Sequence, residues 1–181
     1  MRKPFNIFHV KIDRVTLDSL FEQAISFLKS GQVHTIVTPN PEIVLMASKD
    51  QSYRDALNAA DIRIPDGEGL VLASRLLKTP LQERVTGVDF LYKLIWHAAK
   101  HHHTVYIILL EGGLTRATVL RPYLEKTFKG LQFTCQEVSK QYLQSGYIID
   151  DINKNKPDIL IVTFGAPLQE KWLLRNKKKL K

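Results

Sequence analysis

Three runs constrain this chain more than any other feature: V-H-T-I-V-T (Val33–Thr38), T-V-Y-I-I-L-L (Thr104–Leu110) and D-I-L-I-V-T-F (Asp158–Phe164). Each is apolar almost continuously. A strand with one face in water alternates apolar with polar residues, whereas a continuous run belongs to a strand covered on both faces, as in a parallel sheet between helices. Segments of helical period separate these runs. They cover Leu17 to about Lys29 behind a Thr16 cap, a stretch opening at Glu42, Tyr53 to Ala59, Gly69 to Lys78, Asp89 to about Lys100, Thr115 to about Phe128 with Pro122 inside, Gln141 to Asp151, and a last helix after Gly165. Shorter strands are expected at F-N-I-F-H-V-K-I, I-R-I-P and L-Q-F-T-C-Q-E. The alternation predicts an α/β chain: a Rossmann-like layered sheet, mostly parallel, with helices on both faces. With 181 residues, 44% of them apolar, and no linker or repeat, it reads as a single domain over 1–181.

Composition narrows the function classes. No run approaches the roughly 20 apolar residues of a membrane span, and the N-terminus lacks the apolar core of a signal peptide. A single cysteine, Cys135, leaves no internal disulfide, and a cytoplasmic location is the default expectation. Cys135 itself reads as a packing residue. The net charge is +8, and it is concentrated: from Glu170 to Lys181 six basic residues face one acid, a net +5 that leaves +3 for the rest. Such a tail suits an anionic surface, and equally a solvated helix end. It lacks the aromatic interleaving of a nucleic-acid binder, and no nucleic acid is expected as partner. His97 and His101 lie one helical turn apart beside His102 and His103, but no further ligand is near in sequence, so no metal site is predicted.

In open α/β sheets ligands bind beyond the carboxyl ends of the strands. Four such ends are unusual here: T-P-N-P-E (Thr38–Glu42), P-D-G-E-G (Pro65–Gly69), L-E-G-G (Leu110–Gly113) and F-G-A-P-L-Q-E (Phe164–Glu170). In the first, each proline forces the residue before it, Thr38 or Asn40, into the extended region. Asn40 then suits a helix N-cap and Pro41 the first helical position. The corner is rigid and holds Thr38 and Asn40 near helix N–H groups, a natural anion site, although a capped turn without ligand has the same sequence. In the second, Gly67 permits close backbone approach, and Asp66 is either a helix cap or a general base in a cleft. G-E-G-L-V-L imitates the dinucleotide fingerprint, but Leu72 stands at its third glycine position. Arg84, in E-R-V-T-G-V-D, could fork onto a phosphate, while Thr86 and Asp89 form a capping box. In the last corner Pro167 is expected at an early helical position, Gln169 and Glu170 in the first turn, and Trp172 in the core. Gly112 marks the third strand end.

Taken together and in this order, T-P-N-P-E, P-D-G-E-G, E-R-V-T-G-x-D and G-A-P-x-Q-E-x-W resemble the WecG/TagA/CpsF glycosyltransferases over nearly the whole chain, and most closely those that transfer N-acetylmannosamine in wall teichoic acid assembly. The resemblance implies an inverting hexosyltransferase. It would move N-acetylmannosamine from UDP-ManNAc to the 4-hydroxyl of GlcNAc on undecaprenyl diphosphate, with no cofactor and no metal. Asp66 would be the base, and Thr38, Asn40, Gly67, Arg84, Gly112 and Gln169 would contact substrate. It also implies self-association and a peripheral position on the inner face of the plasma membrane, reached through the C-terminal region. Two departures stand out. Relatives carry more glycine where this chain has Thr163 and Phe164, which would reshape the pocket wall. They also continue past Lys181 into an extension that closes the site with basic residues and helps membrane docking. Alternatives within this reading are a different donor, UDP-ManNAcA or UDP-glucose, or a non-catalytic nucleotide-binding module.

Overall fold

The computed structural model describes residues 4–181. Its centre is β5 (Thr104–Leu110), paired in parallel with β6 (Gln132–Val138) on one side and β7 (Ile159–Thr163) on the other. Side chains of a strand alternate between faces, and both faces of β5 are covered. Val105, Ile107 and Leu109 pack with α1 (Leu17–Leu28), α5 (Gly87–His101) and α6 (Ala117–Thr127). Tyr106 and Ile108 pack with α7 (Gly146–Asn155) and α8 (Leu168–Asn176). The unbroken apolar run of β5 is thus explained by helices on both sides. Cys135 lies fully buried in the first of these cores, and burial pushes its thiol up.

A second parallel pair, β3 (Ile36–Val37) with β4 (Ile62–Arg63), forms the other half together with α2 (Pro41–Lys49), α3 (Gln51–Asn58) and α4 (Glu68–Leu76). The expected sheet is therefore divided: among the described residues β3 pairs only with β4, and β7 only with β5. Packing and charge join the halves. Ile36, Ile62 and Ile64 share the core of β5. Lys171 of α8 donates to Asp50 at 2.7 Å, and Lys177 donates to Asp61 at 2.6 Å. Lys171, with the Tyr53 N–H and the Ser52 hydroxyl, holds the Asp50 carboxyl well below the usual range. Burial raises the Asp61 carboxyl, but Lys177 and Thr35 outweigh it and keep it low. Two of the basic residues of the C-terminal run are therefore anchored, while Arg175, Lys178, Lys179 and Lys181 are exposed.

Several local expectations need correction. F-N-I-F-H-V-K-I is not one strand but a hairpin of β1 (Phe5–Ile7) and β2 (Val10–Ile12), turning at Phe8 and His9 with φ of 49° and 62°. No Asn-Gly or Asp-Gly signal announces this turn. It is held from outside, because Asn58 of α3 donates to His9 O at 2.8 Å and accepts from Lys11 N at 2.9 Å. The helix expected from Gln141 is a 3₁₀ turn at Lys140–Tyr142 followed by α7, which starts at Gly146. Pro167 is the residue before α8 and not within it, and it follows a cis peptide. Thr86 accepts from Asp89 N at 3.0 Å, but the Asp89 carboxylate takes the Thr86 hydroxyl at 2.5 Å and not its N–H, so only half of the capping box forms. The Thr16 cap is a full box, closed by Ser19. Among the described residues no helix is long and apolar enough to cross a membrane.

Candidate active site

The division of the sheet opens a cleft of about 620 Å³ between β3 and β7, within the usual size of small-molecule sites. At its polar end Thr38, Asp66, Gly87, Thr163, Gln169 and Glu170 all reach the wall. These residues are far apart in sequence. They meet because β3, β4 and β7 end here and α5 and α8 begin here.

The corner after β3 forms as its sequence dictates. Asn40 is extended (φ −115°, ψ 175°), its Oδ1 accepts from Ile43 N at 2.8 Å, and Pro41 opens α2. The second corner packs directly on it. Gly67 has φ 116°, and a Cβ there would lie 3.0 Å from Pro41 Cδ, so only glycine allows the two turns to approach this closely. The result is that Asp66 is carried in beside Thr38.

Asp66 is oriented by backbone. Its N–H donates to Ile64 O at 2.9 Å, and its Oδ2 accepts from Gly87 N, at the start of α5, at 3.0 Å. Among the described residues Oδ1 has no hydrogen-bond partner, so one oxygen is fixed and the other is available. Gly87 is the tightest point of the site. A Cβ at this position would sit 2.8 Å from Thr38 Cγ2 and 3.5 Å from Asp66 Oδ2. The local signal for Gly87 is a glycine placed directly after the Thr86 N-cap.

On the opposite wall, Gly165 N donates to Gln169 Oε1 at 3.1 Å, and Gln169 Nε2 donates to Glu170 Oε1 at 2.9 Å. Glu170 is only 3% exposed, and burial raises its carboxyl above the usual range. Of the two departures at the end of β7, Thr163 faces the cleft and donates to Ile108 O at 3.1 Å. Phe164 turns the other way and packs edge-on against Trp172 with ring centroids 5.6 Å apart. Trp172 is a core residue whose Nε1 donates to Leu143 O at 2.8 Å.

The predicted site residues thus divide. Thr38, Asp66 and Gln169 line one cleft. Asn40 and Gly67 support it from behind as cap and close contact. Arg84 stands outside the lining, half-exposed, with Nη1 3.7 Å from Glu68 Oε1, an ion pair of the kind that contributes little and releases its side chain readily. Gly112, with φ 73°, turns the chain after β5 away from the cleft lining. The histidines are stacked, His97 on His101 at 4.1 Å and on His103 at 5.6 Å, at the far end of α5.

Two Staphylococcus aureus proteins, from strains NCTC 8325 / PS 47 and COL, are each 28% identical to this chain over 173 residues, covering 94% of this chain and 67% of the relative. Both are N-acetylglucosaminyldiphosphoundecaprenol N-acetyl-beta-D-mannosaminyltransferases. The sequence profile of the glycosyl transferase WecG/TagA/CpsF family matches residues 5–181, and the chain belongs to that family of glycosyltransferases.

Proposed function

We propose that this glycosyltransferase moves N-acetylmannosamine from UDP-ManNAc to the 4-hydroxyl of GlcNAc on undecaprenyl diphosphate, with inversion and without a metal. The observation that carries this reading is Asp66, with one carboxylate oxygen pinned by Gly87 N and the other free beside Thr38 in the cleft. An inverting transfer needs one base to take the acceptor proton as the new bond forms, and donors to stabilise the leaving diphosphate. Asp66 Oδ1 takes the proton. Thr38 and the remaining N–H of Gln169 meet sugar or phosphate oxygens, and Asn40 Nδ2, unused by the cap, stands at the same corner. Arg84, once released from Glu68, supplies counter-charge to the diphosphate. Gly67 contributes by letting the Asp66 corner pack closely on the Asn40 corner. The acceptor's lipid keeps the site near the cytoplasmic membrane surface, and the exposed Arg175, Lys178, Lys179 and Lys181 suit anionic headgroups.

Calorimetry with UDP tests the reading, with NAD and a short RNA as controls. UDP is expected to bind and to raise the melting temperature, since a ligand at 100 times its dissociation constant stabilises the fold by about 2.7 kcal/mol. Binding of NAD or RNA in place of UDP would overturn the assignment. The site geometry predicts a second result. Gly87→Ala pushes the new methyl into Thr38 and towards Asp66, and kcat/KM is expected to fall at least about tenfold, as displacements of catalytic groups do. Steady-state kinetics beside a melting curve checks this; wild-type turnover in the variant would show that the Thr38–Asp66 spacing does not matter.

A further inference from the structure

We propose that Glu170 is a positioning residue: its buried carboxyl fixes the side-chain amide of Gln169, and with it the turn after β7, in the form that faces the cleft. This rests on the reading of the cleft as the substrate site, but the arrangement itself does not depend on it.

The argument begins with an imbalance. Glu170 lies in the first turn of α8, yet it does not point to solvent. Among the described residues its neighbours supply no free cation. Lys171 is bound to Asp50 and Lys177 to Asp61. Tyr53 of α3 faces it, and burial together with the Glu170 charge raises that phenol. Asp66 shares the cleft. Glu170 Oε2 and Tyr53 Oη are both buried without hydrogen-bond partners among the described residues. A buried unsatisfied polar atom is costly, and a leucine or methionine here would avoid that cost. The carboxyl is therefore unfavourable for stability; Tyr53 lies near enough to interact with it, but among the described residues the one side-chain hydrogen bond of good geometry that it makes is to Gln169.

That bond gives the Gln169 amide a fixed sense. With Oε1 on Gly165 N and Nε2 on Glu170, each end meets its complement. A flipped amide would set Nε2 against the Gly165 N–H, donor against donor. An amide offers two donors and two acceptor sites; the network uses one of each and leaves one N–H and one lone pair for a ligand. Gly165 has φ 79°, and Gln169 N donates back to Gly165 O at 3.1 Å, so the turn and the side chain hold one another. Glu170 is the outer member that keeps the amide from rotating. A proton on Oε2, next to the unpartnered Tyr53 oxygen, would satisfy both orphan atoms without disturbing Oε1.

The side-chain amide resonances of Gln169, assigned by loss in Gln169→Glu, test this without substrate. In the wild type both amide protons are expected at shifts displaced from those of an exposed glutamine, moving as Glu170 titrates at a pH above the ordinary glutamate range. Glu170→Gln is expected to keep them displaced and abolish the titration. Glu170→Leu is expected to return them to the shifts of an exposed glutamine. In kinetics, Glu170→Leu should lower kcat/KM by up to about 100-fold, and Glu170→Gln should recover most of the loss with a flatter pH profile. Unchanged Gln169 signals in Glu170→Leu, or signals in Glu170→Gln already averaged to those of an exposed side chain, would overturn the proposal. If Glu170→Leu does not fold, the Glu170→Gln spectrum decides. If wild-type protein fails to bind UDP, the transferase reading falls, while the spectra still judge Glu170.

Discussion

Asp66→Asn is expected to reduce kcat by about 10²–10⁴, the usual contribution of a positioned general base, with little change in UDP affinity. The substitution is nearly isosteric, and Asn can keep the contact to Gly87 N through its Oδ1. What it loses is the second oxygen, the one with no protein partner. The amide that replaces it cannot take a proton from an acceptor hydroxyl, and it presents an N–H donor where an acceptor is needed. Binding of the nucleotide depends on other groups of the cleft and should survive. Single-turnover assays with a lipid-linked acceptor, run beside UDP calorimetry, separate the two effects. Turnover near wild type would remove Asp66 as the base and leave it as a structural brace for α5. A parallel collapse of UDP binding would show that its charge organises the site and does not take the proton.

The second large effect concerns stability. Asp13→Ala should destabilise the protein by about 3–5 kcal/mol, the cost of breaking a buried ion pair from one side. Asp13 follows β2, and its side chain is 9% exposed; Oδ2 accepts from Arg63 N and Arg63 Nη2, each at 2.8 Å. Asp13 N returns a bond to Arg63 O at 2.9 Å. The variant leaves the Arg63 guanidinium buried with its charge unmatched, and Nε is already without a partner. It also removes the side-chain tie between the hairpin and β4, leaving the main-chain bond from Asp13 N to Arg63 O. A urea melt should show an earlier midpoint with little change in slope. The doubly substituted Asp13→Leu/Arg63→Met protein should recover much of the loss, because removing both charges leaves no unpaired ion. A single-variant loss below about 1 kcal/mol, typical of an exposed pair, would mean that water reaches Arg63 and the pair is not buried in solution.

Much of this molecule follows from sequence alone. The continuous apolar run at Thr104–Leu110 dictates a strand covered on both faces, whereas the run at Ile159–Thr163 forms a strand that is only partly buried where the sheet opens. Thr16, Asn40 and Thr86 set helix starts by bonds to residues three positions on, and Thr38-Pro39-Asn40-Pro41 admits only one backbone course. These are local interactions, carried by neighbouring residues wherever the segment lies. The hairpin at Phe8 and His9 is held by distant segments, Asn58 of α3 at its turn and Arg63 of β4 at its end. The two halves meet through Lys171 and Lys177, which composition showed only as part of a basic tail. Gly87 became a site residue once Thr38 and Asp66 closed on it, and Glu170 once α8 turned it inward. Those features rest on contacts between distant segments, whose energies depend on burial and geometry that no local pattern encodes. Tertiary packing alone decided which strand ends meet, where the sheet opens into a cleft, and which carboxyl faces it and which is buried beside it.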